Sequence, residues 1–135
     1  MPVQAPIQTP AGGAPETAVL DMAHLQAQCM GDEALAAELL KMFRIQALQI
    51  SASMARPGAA AALAALAHKL RGSAAAVGAC AVAAAAARLE AACQRGGARA
   101  PALAALAVAV ERAADAIRLR LDGAFGDSPW ADATK

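Results

Sequence analysis

The residues of this sequence that could carry out chemistry lie close together in the stretch 63–73. His68 is followed directly by Lys69, and Arg71 and Gly72 come one helical turn later. A histidine has an ordinary pKa of about 6.5, so near pH 7 its neutral ring is a nitrogen nucleophile. Cations beside it or one turn away can reach an anion attached to the ring. These residue types fit a histidine that accepts a phosphoryl group.

The leucines of the same stretch indicate which way His68 points. At about 100° per residue in a helix, Leu66 and Leu70 fall about 160° from His68 on either side. Small residues, Ala64, Ala65 and Gly72, share its face. The pattern therefore predicts a helix that buries its leucines and leaves His68 exposed, where the active site of another protein could close over it.

Gly72 has two readings. A glycine inside a helix costs about 1 kcal/mol relative to alanine, which makes sense where a partner must approach the backbone closely. The competing reading is a close packing point between two helices of the same chain.

The polar residues of this stretch, and His24 outside it, also have simpler explanations. Without its flanking motif, His68 would be an ordinary surface histidine, and Lys69 and Arg71 would only solvate a helix face. Ser73 lies about 140° from His68, which favours packing or a backbone hydrogen bond over a direct role. His24 has no basic or glycine companion, so we expect it to be structural or solvated.

The rest of the chain predicts an all-α fold. About a third of the residues are alanine, the strongest helix former, and no run alternates as a half-buried strand does. A short helix over about 22–29 precedes four long ones, over about 32–54, 59–76, 80–94 and 101–121. Short connections between four amphipathic helices predict an antiparallel up-down-up-down four-helix bundle, with the short helix as an N-terminal addition.

The two ends of the chain have a different composition. Residues 1–17 are rich in Pro, Gly, Gln and Thr, and residues 122–135 read similarly. Such segments bury too little to offset their ordering entropy. We therefore expect a disordered N-terminal segment over 1–17, a folded domain over 18–121 and a flexible C-terminal tail over 122–135.

Composition excludes several classes of protein. Twelve basic and 11 acidic residues give a net charge of +1, and nucleic-acid binding would require a basic stripe. The longest apolar run is too short to span a bilayer, and the start lacks a signal peptide. Cys29, Cys80 and Cys93 have no metal-binding spacing. We expect a cytoplasmic protein with reduced cysteines, no membrane insertion and no metal site.

These motifs resemble the histidine-containing phosphotransfer (HPt) domain family over roughly residues 19–121. The family signature runs His-x-Leu-Lys-Gly-Ser, and here residues 68–73 read HKLRGS, followed by Gly78-Ala79, Leu89-Glu90 and Gly96-Gly97. The one departure within the central motif is Arg71, where lysine is usual. Arginine keeps the charge but presents a planar fork.

The resemblance implies a function in a two-component phosphorelay. His68 would accept a phosphoryl group from an aspartyl phosphate on a receiver domain and pass it to another receiver. Arg71, Lys69 and Gly72 would stabilise the phosphoryl group or dock the partner, and Glu90 matches a family position facing the histidine from the next helix, as a candidate orienting neighbour.

The resemblance also implies what the chain would lack. The protein would be a monomeric carrier and not an enzyme, without a cofactor, since Mg²⁺ and the catalytic carboxylates belong to the receiver. Its partners would be response-regulator receiver domains and a hybrid sensor histidine kinase.

Two other classes of protein could carry a histidine on an exposed helix face. A kinase dimerisation domain follows its histidine with an acidic residue and soon a proline, whereas Lys69 follows here and no proline comes before Pro101. The other rival is a non-catalytic helical adaptor or scaffold, in which the small residues around His68 form a docking surface and His68 is incidental.

Overall fold

The computed structural model describes residues 18–56 and 58–126, with side chains up to residue 123. This part of the chain forms five α-helices and contains no β-strand. They are α1 (Met22–Gln28), α2 (Glu33–Met54), α3 (Ala60–Val77), α4 (Cys80–Arg95) and α5 (Arg99–Gly126). The predicted all-α class and the number of helices are confirmed.

Local signals in the sequence explain where the helices begin and end. The Asp21 carboxylate accepts a hydrogen bond from the backbone N–H of His24 at 3.1 Å and caps α1. Asp32 caps α2 in the same way through Leu35, at 3.0 Å. Helix α3 ends at Gly78 in the left-handed conformation that glycine adopts without a Cβ penalty. The first four helices therefore lie within one residue of their predicted bounds.

The bounds of α5 differ from the prediction at both ends. The helix begins at Arg99, two residues before Pro101, because a proline is tolerated in the first helical turn, where its missing N–H has no partner to lose. It continues to Gly126, so the predicted start of a flexible tail at residue 122 is wrong: residues 122–126 are helical. A single glycine such as Gly123 costs only about 1 kcal/mol and does not end the helix. The predicted disordered segment 1–17 and residues 127–135 of the predicted tail lie outside the described residues.

The four long helices surround one hydrophobic core. Helix α2 packs on α3, α3 on α4, α4 on α5 and α5 on α2, while α1 packs on α2 and α3. The apolar faces of the four amphipathic helices are buried or partly buried in this core. The largest fully buried side chains are Leu25, Leu40, Leu70, Leu89, Leu106, Ile117, Val82 and Val110.

Small side chains fill much of the remaining core. Nine alanines among the described residues are buried: Ala36, Ala47, Ala67, Ala74, Ala79, Ala85, Ala86, Ala113 and Ala114. No polar or charged residue of this part of the chain is buried. All three cysteines are free, as expected, but only Cys29 is buried, whereas Cys80 and Cys93 are half-buried.

Segments far apart in the sequence tie α1 to the bundle. The backbone N–H of Asp21 donates to the Gly78 carbonyl at 2.7 Å, and that of Ala81 donates to the Ala18 carbonyl at 2.9 Å. Nε2 of His24 hydrogen-bonds the Ala76 carbonyl at 3.2 Å. The last turn of α3 leaves carbonyls without helical partners, so His24 has the structural place expected for it.

Candidate functional site

Helix α3 presents His68 to solvent, as the leucine pattern predicted. Leu70 is fully buried on the opposite side of the helix, and Leu63 and Leu66 are partly buried against the core. The side chain of His68 is 64 % exposed. A ring in this position can be reached by the active site of a second protein.

Two charged side chains meet the ring of His68 at the same nitrogen. Nδ1 of His68 lies 2.9 Å from Oε2 of Glu90, which α4 contributes. It also lies 3.0 Å from Nη2 of Arg71, one turn further along α3. Arg71 and Glu90 pair with each other through Nε and Oε1 at 3.4 Å. The three side chains form a closed cluster across the α3–α4 contact.

The surroundings of Nδ1 favour one protonation state of that atom. A bare Nδ1 would accept from Arg71, but its lone pair would then face the Glu90 carboxylate at 2.9 Å. A protonated Nδ1 donates to Glu90 instead, and Arg71 keeps its Nε contact with the same carboxylate. Glu90 is only 15 % exposed and cannot move away easily, whereas Arg71 is 43 % exposed and can. We infer that Nδ1 carries the proton.

The other ring nitrogen of His68, Nε2, is available to react. In the described part of the chain, no hydrogen bond involves Nε2 of His68. A neutral imidazole protonated at Nδ1 has its lone pair on Nε2. The cluster therefore orients the ring, holds its proton on the inner nitrogen and presents a nucleophilic nitrogen to solvent.

Gly72 lies on the exposed side of α3, and its surroundings decide between its two readings. A Cβ built on Gly72 would meet no atom within 4 Å outside its own helix backbone. The competing interpretation of Gly72 as a packing point between helices is therefore wrong. No contact within the described residues explains why position 72 of the helix is a glycine, which stabilises a helix less than alanine does.

The remaining candidates lie outside the cluster. Lys69 is exposed and makes no hydrogen bond or ion pair with the cluster. Ser73 is half-buried on the side of α3 away from His68. His24 is joined to the end of α3 and not to the ring of His68. The structure thus brings together His68, Arg71 and Glu90, with Gly72 alongside.

Residues 18–56 and 58–126 contain no group of three or more histidine, cysteine or acidic side chains that could hold a metal ion. None of the described helices carries an apolar stretch of the length that a bilayer requires.

The sequence alone did not reveal how Arg71 is held. Its spacing from His68 was evident, but its pairing with Glu90 depends on the packing of α4 against α3. The link between Asp21 and Gly78 was also missed, because these residues are far apart in the chain. The only sequence signals for it were a capping aspartate and a helix-ending glycine.

Comparison with known proteins identifies the family. The model of the Hpt domain family matches residues 36–123, well over half of the chain. The chain belongs to the Hpt domain family, and its role is therefore phosphotransfer in two-component signalling. The domains of this family are phosphocarrier modules that interact with receiver domains and kinases. A search of curated proteins and a search of solved structures found no match.

Proposed function

We propose that this protein carries a phosphoryl group on Nε2 of His68 between two receiver domains of a phosphorelay. The observation that carries the proposal is the asymmetry of the His68 ring. Nδ1 is held by Glu90 at 2.9 Å, whereas Nε2 makes no hydrogen bond within the described residues, on a side chain that is 64 % exposed.

The transfer step follows from this arrangement. The Nε2 lone pair attacks the phosphorus of an aspartyl phosphate while the bond to the aspartate oxygen breaks, so an N–P bond replaces a P–O bond. The aspartate leaves as a carboxylate, and the ring becomes a cation that keeps its proton on Nδ1. Glu90 stabilises that cation through a charge-assisted hydrogen bond. Attack by the carboxylate of the second receiver reverses the sequence.

Arg71 and Gly72 have complementary roles in this proposal. Arg71 supplies a guanidinium one turn from His68, where it can swing toward the phosphoryl oxygens while Glu90 stays on the ring. Gly72 leaves the surface flat, so that a partner can come close. Lys69 is exposed and adds positive charge that the arriving phosphate meets.

The remaining parts of the reaction belong to the partner. Phosphoryl transfer depends on positioning and charge stabilisation, and this chain supplies a nucleophile and flanking cations. We propose that the receiver holds the Mg²⁺ and the acidic residues, and that this chain needs no cofactor and acts as a carrier and not as an enzyme.

The cellular setting is also part of the proposal. We propose a cytoplasmic monomer, folded as an antiparallel up-down-up-down bundle, that exchanges phosphoryl groups with response-regulator receivers and a hybrid sensor kinase. The short connections between consecutive long helices support the antiparallel order.

The test is direct labelling, and the chain offers a matched control. It contains two histidines, so His68→Gln and His24→Gln each leave one. Incubation with a phosphorylated receiver domain should give an acid-labile, base-stable phosphate on the wild-type chain and on His24→Gln, and none on His68→Gln. Circular dichroism should show that both variants fold.

Two results would reject the assignment. Label that survives in a folded His68→Gln variant would place the phosphate elsewhere. A wild-type chain that takes up no label from any of a panel of receivers would favour the helical adaptor instead.

A further inference from the structure

The outer face of α2 carries large apolar side chains that the bundle does not cover. Leu35, Met42 and Ile45 are 44 %, 63 % and 52 % exposed. Single exposed apolar residues are normal on a protein surface, whereas several that share one face mark an interaction site. The arrangement of these three residues along the helix therefore matters.

The three residues belong to a regular row of exposed positions. Alternate steps of three and four residues along α2 connect six of them, which we call the α2 seam: Leu35, Glu38, Met42, Ile45, Gln49 and Ala52. Steps of three and four are the spacing by which two helices pack side by side in a coiled coil. At about 100° per residue, the seam lies about 150° around α2 from the buried stripe, so a second helix could lie along it without displacing the bundle.

The α2 seam is complementary to a second copy of itself that runs in the opposite direction. A register that places Met42 opposite Ile45 of the other copy also places Leu35 opposite Ala52, and Glu38 opposite Gln49. Methionine and isoleucine then form an apolar centre, and a large leucine meets a small alanine. The carboxylate of Glu38 can accept a hydrogen bond from the amide of Gln49. Each of these contacts occurs twice, because the two copies are related by a two-fold axis.

Glu38 distinguishes the two directions in which the helices could pair. A parallel pair would place Glu38 against Glu38 of the other copy, and like charges across an interface are unfavourable. In the antiparallel pair the carboxylate meets an amide, and it keeps Lys41 of its own helix at 3.6 Å. A polar contact within an apolar seam also fixes the register of two helices.

The α2 seam lies away from the His68 cluster. Within the described residues, α2 packs on α1, α3 and α5 but not on α4. The ring of His68 is held by Glu90 of α4. A second copy bound along the seam therefore leaves His68 of both chains uncovered.

We propose that two copies of this chain associate through the α2 seam as an antiparallel pair of helices. The inference goes beyond the proposed function and does not depend on it, since no seam residue belongs to the His68 cluster. Six seam residues a side are fewer than the roughly 20–30 of a standard interface, so the association should be weak, with a Kd of about 10–100 µM. The monomer proposed above is then the form present in dilute solution.

The experiment measures self-association of the full chain and of charged seam variants. Sedimentation velocity is recorded from about 1 to about 500 µM, a range that brackets the expected Kd. Met42→Lys and Ile45→Glu are measured separately and as an equimolar mixture. Val108→Lys is the matched control, because it adds the same charge at an apolar position of α5 that is 48 % exposed.

We expect the wild-type chain and Val108→Lys to change from monomer to dimer over this range. A dimer of either seam variant would hold two unpaired charges in the seam, so the Kd should rise at least about tenfold. In the mixture, the introduced ammonium of one chain faces the introduced carboxylate of the other, and Met42 still meets Ile45 in the second central contact. The mixture should therefore associate at least about tenfold more tightly than either variant alone. Circular dichroism should show that all variants fold.

Three results would overturn the proposal. A wild-type chain that stays monomeric at the highest concentration would leave the α2 seam to a helix of another protein. A dimer whose Kd changes in neither Met42→Lys nor Ile45→Glu would place the contact elsewhere on the chain. Weaker association of both variants without recovery in their mixture would reject the antiparallel register.

Discussion

Arg71 stands in for the lysine usual at its position, and the structure shows what its forked guanidinium contacts. Nη2 reaches the ring of His68 at 3.0 Å while Nε lies 3.4 Å from Glu90. A lysine ammonium is a single point charge. The arginine can therefore keep one nitrogen on Glu90 while another turns toward an incoming phosphate.

Replacing Arg71 should affect transfer much more than stability. We expect Arg71→Ala to slow transfer from a receiver by about one to two orders of magnitude, because it removes the cation nearest the ring. The melting temperature should change little, since Arg71 itself is 43 % exposed and Glu90 keeps its hydrogen bond with the ring of His68 when the guanidinium is removed. Quenched time courses measure the rate of transfer, and thermal melts measure the change in melting temperature.

Arg118→Ala is the matched control for this prediction. It removes an exposed arginine that pairs with Asp122 at 3.8 Å on α5, away from His68. It should leave transfer unchanged. Equal transfer rates in Arg71→Ala and the wild type would exclude Arg71 from the site.

Cys80 is a second residue whose chemistry its neighbours alter. Burial raises the pKa of its thiol, and the Asp21 carboxylate raises it further by disfavouring the thiolate. The thiolate is the reactive form of cysteine. We therefore expect the rate at which iodoacetamide alkylates Cys80 to rise only at a pH above the range in which an ordinary thiol ionises. Peptide mass spectrometry after timed alkylation would give the rate at each pH.

Asp21→Asn separates the two causes. Asparagine still caps a helix but carries no charge, so the rise in reactivity of Cys80 should move to lower pH. It should remain above that of an ordinary thiol, because burial persists. A reactivity profile unchanged by Asp21→Asn would show that the carboxylate has no influence on Cys80.

Gly78 lies where the end of α3, the start of α4 and the segment before α1 pack together. Its φ is +84°, and a Cβ added there would lie 2.7 Å from the Asp21 carbonyl oxygen. We expect Gly78→Ala to lower the free energy of unfolding by about 2–4 kcal/mol, from left-handed strain together with the clash. Urea unfolding followed by circular dichroism measures this change.

Gly96 provides the comparison, because it ends α4 with a φ of +70° but has no atom within 4 Å of an added Cβ. Gly96→Ala should cost only about 1–2 kcal/mol, the strain alone. The difference between the two variants isolates the contact with Asp21. Equal losses would mean that this contact relaxes freely.

Helical periodicity predicted much of this arrangement, for identifiable reasons. The stripe of Leu40, Phe43 and Ile50 is buried because apolar residues at helical spacing share a face. The same periodicity predicted that His68 is exposed on the side of α3 opposite the buried Leu70. The contacts of His24 and Asp21 with the end of α3 could not be predicted, since they depend on tertiary packing across more than 50 residues. The end of α5 was misplaced because Gly123 weakens a helix without ending it.

Across the described bundle, buried alanines make up a large part of the core. Ala86 is fully buried in α4, in a core that contains both alanines and large apolar side chains. We expect Ala86→Leu to lower the free energy of unfolding by about 1–3 kcal/mol, because a close-packed interior has no room for the added atoms. Chemical denaturation at equilibrium would measure it.

Ala105→Leu adds the same atoms on an exposed position of α5. It should change the free energy of unfolding by no more than about 0.5 kcal/mol. An Ala86→Leu variant as stable as the wild type would show that α4 can move outward without penalty.

The order in which the helices meet has a consequence for how the chain acquires its structure. Three of the four contacts around the core join consecutive helices, and only α2 with α5 brings distant segments together. Closing a long loop is the slow part of assembling a small protein, and helical proteins rich in local contacts fold within about microseconds to milliseconds. The seam between α2 and α5, where Nε of Arg44 donates to the Ala114 carbonyl at 3.1 Å, is therefore where we expect the last native contacts to form.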